Sequence, residues 1–213
     1  MKYKLLVLDL DGTLTNNKKE ITEHTLRTLI QAQERGIKIV LASGRPTYGI
    51  VPIADKLELK KYGGYILSYN GGEITNWQTG ELMYENVLDA DVLPYLYQCA
   101  KENNFAIVTY KDKYVITEHP EDEYVLKEAI LNVMETKKVD NFLEAIDFPV
   151  AKCLIVGEST RLAELEKVMY EALKDRMGVY RSEPYFLELV PKGIDKAQSL
   201  AVLLEKIGAT REE

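Results

Sequence analysis

The sequence predicts an α/β fold with a parallel-sheet core and an inserted α+β domain. Residues 5–10 are apolar except for Asp9 and show no polar alternation, which is typical of a strand covered on both faces. Strand and helix patterns then alternate as far as residue 68, as in right-handed βαβ units. From residue 73 onward, hairpin patterns replace this alternation and indicate a second domain.

The first domain is predicted to occupy residues 1–86. After the first strand, Thr22 can cap a helix that continues to about Arg35, and Gly36 ends it. The other elements predicted for this domain are strands at 37–41 and 65–68, a helix at 48–57 between them, and a hairpin with strands 73–77 and 81–87.

The inserted α+β domain is predicted to occupy residues 87–188, and residues 189–213 return to the first domain. The elements predicted for the insert are helices at 92–102, 121–134 and 160–174, and strands at 105–110, 114–117, 151–157, 179–182 and 186–189. The returning segment starts a helix near Asp195. Nothing in the insert has the spacing of a catalytic motif, so we expect it to cover the cleft of the first domain and select substrates.

Composition limits the classes of function. The net charge of -7 disfavours binding to nucleic acid, where affinity comes from neutralising many phosphates. No run of about 18 apolar residues is present to span a membrane, and no signal peptide precedes the first strand, so a cytoplasmic location is expected. Cys99 and Cys153 are expected to be buried thiols. The two histidines, His24 and His119, are poor evidence for zinc.

Two carboxylates stand one residue apart where the first strand ends, at Asp9 and Asp11. Ligands of parallel sheets collect at this end of the strands. Two such carboxylates repel one another and are suited to Mg2+, which prefers oxygen ligands. Gly12 would allow a tight turn that aims N–H groups at a phosphate, and Thr13 could add a hydroxyl. The alternative interpretation is an ordinary Asp-Gly turn after a core strand.

Polar turns follow the next two strands and reach the same sheet edge. Ser43, Gly44 and Arg45 could grip a phosphoryl oxygen, although a Ser-Gly turn and a solvated arginine are common without function. Asn70 and Gly71 could bind a ligand or form a bare turn.

Two lysines of the returning segment are candidates for contact with an anion. Lys196 falls in the first turn of the predicted last helix, where the helix dipole disfavours a cation, so we expect an anion to compensate it. Lys192 is the alternative, and either could be an ordinary surface lysine.

Residues 9–13, Asp-Leu-Asp-Gly-Thr, resemble the first signature of the haloacid dehalogenase (HAD) superfamily. The Ser-Gly-Arg turn at 43–45 and residues 68–72 resemble the Cof-type branch, which carries an α+β cap of the C2B type. The resemblance implies a Rossmannoid core, with Asp9 as nucleophile, Asp11 as general acid and base, and Ser43 and Lys196 completing the catalytic set. It also implies Mg2+ at Asp9 and Asp11. The substrate-binding residues are then expected to be Gly12, Thr13, Gly44, Arg45, Asn70, Gly71 and Lys192.

The function implied by the resemblance is that of a Mg2+-dependent phosphatase. Its partner would be a small phosphate ester, such as a sugar phosphate, hydrolysed through an aspartyl-phosphate. Two alternatives remain open, a phosphomutase of the same superfamily and a non-catalytic phosphate-binding domain. The sequence does not predict the oligomeric state.

The fourth signature of the family, Gly-Asp followed by a second acidic residue or by Asn-Asp, has no counterpart here. Residues 197–213 contain no aspartate. We therefore expect a shortened form of a longer enzyme, in which the first strand, residues 5–10, lies at an exposed apolar edge.

Overall fold

The computed structural model describes residues 3–213, which divide into two compact bodies. The first comprises residues 3–85 and 195–213, and the second comprises residues 86–194. The first boundary lies beside the predicted one, but the predicted return at residue 189 is too early. The last strand of the insert continues to Pro191, and its Leu189 pairs with both Cys153 and Val179. This pairing keeps the segment in the second body.

The strands and helices are numbered in chain order. The strands are β1 (Leu5–Asp9), β2 (Lys38–Ala42), β3 (Tyr65–Ser68), β4 (Glu73–Asn76), β5 (Glu81–Glu85), β6 (Ala106–Lys111), β7 (Tyr114–Thr117), β8 (Glu135–Lys138), β9 (Cys153–Val156), β10 (Met177–Glu183) and β11 (Phe186–Pro191). The helices are α1 (Glu23–Glu34), α2 (Thr47–Lys56), α3 (Leu59–Tyr62), α4 (Leu93–Glu102), α5 (Glu123–Leu131), α6 (Ser159–Leu173) and α7 (Lys196–Ile207).

The sheet of the first body has the strand order β1-β2-β3-β4-β5. Strands β1, β2 and β3 are parallel, and the hairpin β4–β5 adds two antiparallel strands. The predicted α/β class and parallel core are confirmed. Thr22 caps α1 as predicted, because its side chain accepts a hydrogen bond from Thr25 N.

Alternating residues of β2 divide the core of the first body into two layers. Ile39 and Leu41 pack on one face with residues of α1, α2 and α3, whereas Val40 packs on the other face with Leu203 of α7. The sheet therefore lies between helices on both faces, which explains the largely apolar character of β1, β2 and β3. Helix α7 returns to this body after the whole second body has intervened in the sequence.

Strand β1 ends the strand order of the first sheet, at the predicted edge. Val7 is 39% exposed there, whereas Leu10 is fully buried. The backbone N–H groups of Lys4 and Leu5 donate to the carbonyl of Glu213 at 2.6 and 3.2 Å. The edge strand is therefore exposed at Val7, and Glu213 contacts the backbone where the strand begins.

The second body has a sheet of order β10-β11-β9-β6-β7-β8, in which β7 and β8 are parallel and the other pairs antiparallel. Leu96 of α4 and Leu165 of α6 pack with Ile155 on one face of it. Cys99 and Cys153 are buried free thiols, as predicted. Helix α5 is shorter than predicted because Val133 adopts a left-handed conformation, and β8 follows where no strand was predicted. Among the described residues, no helix is long and apolar enough to cross a membrane.

Candidate active site

Asp9 and Asp11 lie at the carboxyl end of β1, where the chain turns sharply. Asp9 is the last residue of the strand. The chain then turns back, so that Leu14 N donates to the Asp9 carbonyl and Thr15 N donates to the Leu10 carbonyl. Gly12 has φ of 78°, a left-handed conformation that suits glycine. The side chains of Asp9 and Asp11 are both 39% exposed. The turn therefore presents two carboxylates to solvent, with exposed Thr13 beside them.

Lys196 is the first residue of α7, and its Nζ donates to Asp9 Oδ1. Asp195 caps the helix by accepting a hydrogen bond from Gln198 N at 2.7 Å. The anion expected to compensate a cation in this first turn is therefore Asp9 itself. Lys192 lies in the second body, where its Nζ donates to the Asp175 carbonyl at 2.8 Å. Of the two predicted lysines, Lys196 is the one that contacts Asp9.

Arg45 forms a two-pronged ion pair with Asp11. Its Nε donates to Asp11 Oδ2 at 2.9 Å and its Nη2 to Asp11 Oδ1 at 2.7 Å. Lys19 Nζ donates to the same Oδ1 at 2.7 Å. Burial alone would raise the pKa of Asp11, but the hydrogen bonds and charges of Arg45 and Lys19 outweigh it and lower that pKa. Asp11 is therefore held as a carboxylate.

The two turns predicted to bind phosphate, at residues 43–45 and 70–71, contact one another. Ser43 is 2% exposed, and its Oγ accepts a hydrogen bond from Arg45 N at 3.2 Å. Its carbonyl accepts from Asn70 N at 2.9 Å. Asn70 is left-handed, and a Cβ added to Gly44 would lie 2.9 Å from Asn70 Oδ1. A side chain at position 44 would therefore displace the Asn70 side chain.

Gly71 contacts helix α7 directly. It has φ of 100°, and its carbonyl accepts a hydrogen bond from Ser199 Oγ at 2.8 Å. A Cβ at Gly71 would lie 2.2 Å from that Oγ. Gly71 therefore positions the helix that carries Lys196. Sequence reasoning missed Ser199, since a serine within a helix carries no signal of such a contact.

A partly buried hydrogen-bonded chain of two hydroxyls and a carboxylate was also missed. Thr47 Oγ1 lies 2.6 Å from Ser68 Oγ and donates to Glu73 Oε2 at 2.7 Å. Burial raises the pKa of Glu73. The three residues join the start of α2 to the end of β3 and the start of β4, and so fix the elements that follow Ser43 and precede Asn70.

Lys19 was also missed, and it contacts a predicted catalytic group. The sequence signal was a pair of lysines, Lys18 and Lys19, shortly after the aspartates. Nothing in the sequence distinguishes one from the other. Only the loop geometry shows that Lys19 reaches Asp11.

The carboxylates of Asp9 and Asp11 are suitable ligands for Mg2+. Both residues offer carboxylate oxygens, and Mg2+ is commonly bound through one or two carboxylates together with substrate phosphate and water. Within residues 3–213, no group of three or more His, Cys, Asp or Glu side chains is arranged to hold a metal ion. A metal here would therefore depend on these two aspartates and on the substrate.

The second body contains a groove of about 730 Å³, and none of the predicted catalytic residues lines it. Its lining includes Lys101, Phe105, His119 and Lys138. Glu118, also in the lining, accepts hydrogen bonds from Tyr97 OH and Phe142 N. The groove shows that the inserted domain has a concave surface of its own. Its role in selecting substrates stays a prediction.

Comparison with known proteins identifies the family. Residues 6–213 match the model of the haloacid dehalogenase-like hydrolases. A haloacid dehalogenase-like hydrolase from Bacteroides thetaiotaomicron is 58% identical, with a TM-score of 0.96 over 99% of this chain and 79% of that one.

Two more distant proteins agree with this result. A Thermotoga maritima protein of known crystal structure is 28% identical, with a TM-score of 0.82 over 97% of this chain and 76% of that one. An Escherichia coli protein named HMP-PP phosphatase is 27% identical, over 96% of this chain and 73% of that protein. These comparisons support the assignment as a phosphoric monoester hydrolase. The chain therefore belongs to the haloacid dehalogenase-like hydrolase family, as its sequence motifs predicted.

Proposed function

We propose that this protein is a Mg2+-dependent phosphatase that hydrolyses small phosphorylated metabolites through an aspartyl-phosphate. The observation that carries the proposal is the pair of ion-paired carboxylates at the end of β1, with Lys196 on Asp9 and Arg45 on Asp11. Membership of the hydrolase family and the likeness to HMP-PP phosphatase support it.

Asp9 is the proposed nucleophile. Its carboxylate is 39% exposed, so a phosphate ester can approach it from solvent. In the first step an Asp9 oxygen bonds to phosphorus as the bond from phosphorus to the leaving oxygen breaks. Lys196 positions the attacking group and offsets the negative charge that gathers between nucleophile and phosphate.

Asp11 is the proposed general acid and base. The first step needs a proton for the leaving oxygen. In the second step, a water oxygen bonds to phosphorus as the bond from phosphorus to Asp9 breaks, and a base takes the proton from that water. Arg45 and Lys19 hold Asp11 in the carboxylate form, which is the form required for the second step. Protonation for the first step is favoured when Lys19, the more exposed of the two cations, leaves Asp11.

The remaining residues are proposed to bind the phosphate and the metal. Asp9 and Asp11 would hold Mg2+, which when bound supplies positive charge to the phosphoryl oxygens. Ser43 follows Ala42, which pairs with Asp9, and its hydroxyl and the neighbouring N–H groups would donate hydrogen bonds to a phosphoryl oxygen. Asn70, packed against Gly44, keeps this turn in place.

The variant Asp9→Asn tests the proposal. We expect the rate of phosphate release from a panel of phosphorylated metabolites to fall at least about a thousandfold, with an unchanged circular dichroism spectrum. Asp55→Asn, at an exposed position on α2, is the matched control. Release of inorganic phosphate distinguishes hydrolysis from phosphoryl transfer to a sugar hydroxyl. Wild-type turnover in the Asp9→Asn protein would refute the assignment.

A further inference from the structure

We infer that Lys19 is an additional phosphate-binding residue, which rests on Asp11 in the free protein and transfers to the substrate phosphate on binding. The inference depends on the proposed function, because it assigns a role at the same site. It adds a substrate contact from the loop that follows the two aspartates.

The loop places Lys19 through its own hydrogen bonds. Asn16 Oδ1 accepts from Lys18 N at 2.8 Å and from Glu20 N at 3.1 Å, while the Asn16 carbonyl accepts from Lys19 N at 2.8 Å. Asn16 N in turn donates to the Glu20 carbonyl at 3.0 Å. The turn is therefore closed on both sides, and Lys19 projects from a fixed base toward Asp11.

Lys19 also has a backbone conformation that a lysine rarely adopts. Its φ is 60°, in the left-handed region that favours glycine and asparagine. Strain of this kind is concentrated at functional sites, where the surrounding structure holds it. Within this turn, the conformation aims the side chain at Asp11.

The bond from Lys19 to Asp11 is redundant with the contacts of Arg45. Arg45 already donates to both Asp11 oxygens, and its side chain is only 13% exposed. The Lys19 side chain is 47% exposed, and exposed ion pairs contribute little stability. Lys19 can therefore leave Asp11 at a small cost in free energy. Arg45 stays in place, because it is largely buried and donates to both Asp11 oxygens.

The charges of the site favour such a transfer. Three cations, Lys19, Arg45 and Lys196, contact two carboxylates, Asp9 and Asp11. Arg45 and Lys196 suffice to pair the two aspartates, which leaves one positive charge in excess. A phosphate dianion entering the site would meet this excess charge at Lys19, its most exposed cation.

The test compares Lys19→Gln with Lys18→Gln, which removes the neighbouring charge from the same loop. With p-nitrophenyl phosphate and Mg2+, we expect Lys19→Gln to raise KM about tenfold, the effect of one good charge-assisted contact, with kcat within about twofold. The inhibition constant of inorganic phosphate should rise in parallel. Lys19→Arg should restore most of the affinity, and Lys18→Gln should match the wild type.

Three results would overturn the inference. One is an unchanged KM in Lys19→Gln, and another is a fall in kcat alone, which would show that Lys19 acts only through Asp11.

If the wild-type protein releases no phosphate, the proposed function fails by itself. Calorimetric titration with inorganic phosphate and Mg2+ then still tests Lys19. Weaker binding by Lys19→Gln than by Lys18→Gln supports the inference, and equal binding is the third overturning result.

Discussion

Each body of the protein contains a cluster of opposite charges, and the two clusters differ in their access to water. In the first body, the side chains of Asp9 and Lys196 are 39% and 40% exposed. In the second body, the side chains of Lys152 and Glu188 are 3% and 9% exposed. A lysine–carboxylate pair is therefore accessible to solvent and ligands in the first body and enclosed by protein in the second.

The buried cluster joins four elements of the second body. Lys152 Nζ lies 3.0 Å from Glu188 Oε2 in an ion pair whose geometry falls short of a hydrogen bond, and Ser182 Oγ donates to Glu188 Oε1 at 2.8 Å. Glu128 accepts from Tyr110 OH at 2.6 Å and from Asn132 Nδ2 at 2.8 Å.

Burial alone would lower the pKa of Lys152, but Glu188 and Glu128 outweigh it and raise that pKa. Lys152 therefore stays charged and belongs to the framework. By contrast, the half-exposed pairs of the first body are available to a ligand.

Among the effects that compare the two clusters, the largest expected one is the loss of activity on replacing Lys196. We expect Lys196→Met to lower kcat/KM about 100- to 1000-fold, because one preorganised charge at the reacting phosphate is removed. Lys192→Met is the control, since Lys192 donates to the Asp175 carbonyl in the second body. Equal losses in the two variants would contradict the comparison, because the accessible pair would then have no special role.

The second effect concerns stability and not activity. Lys152→Met should lower the free energy of unfolding of the second body by about 3–5 kcal/mol, because it leaves buried carboxylates without their cation. Hydrogen exchange of β9 and β11 amides measures this. The double variant Lys152→Met/Glu188→Leu should recover part of the loss. A single variant as stable as the wild type would show that the buried cluster is no more fixed than the exposed one.

The smallest effect is a dependence of stability on pH. Burial raises the pKa of Glu128, so the folded protein binds a proton more tightly there than the unfolded chain does. This contribution is complete below the ordinary carboxyl pKa and is lost as pH rises through the raised value, with a slope of at most about 1.4 kcal/mol per pH unit.

Glu128→Gln should remove this slope, which thermal unfolding measured across the acid to neutral range would show. Its neighbours Tyr110, Asn132, Lys152 and Glu188 are unchanged in that variant. An identical slope in the variant and the wild type would assign the pH dependence to another group.

The elements that could be predicted are those whose signal is local. The apolar runs of β1 and β3 and the Thr22 cap of α1 are encoded in a few adjacent residues, and the structure has them where expected. Asp9, Asp11, Ser43 and Asn70 could be assigned to one edge of the sheet because each ends or follows a strand, and parallel strands end at one edge. Their roles stay predictions.

The elements that were missed depend on contacts distant in the sequence or on a backbone choice. Strand β8 has the sequence Glu-Thr-Lys-Lys, which lacks an apolar pattern, and forms because it pairs with β7. Ser199 bonds Gly71, which lies 128 residues earlier. Lys19 reaches Asp11 only through a left-handed turn. The return boundary was misplaced because β11 continues beyond the residues whose pattern predicted it.

The separation of Lys196 from Asp9 by 187 residues has a consequence for synthesis on the ribosome. When residues 3–85 have emerged, the nascent chain already contains Asp9, Asp11, Ser43 and Arg45. Helix α7, with the lysine and with Ser199 for the Gly71 carbonyl, is translated only after the whole second body. The ion pair between Asp9 and Lys196 can therefore form only after the second body has been translated.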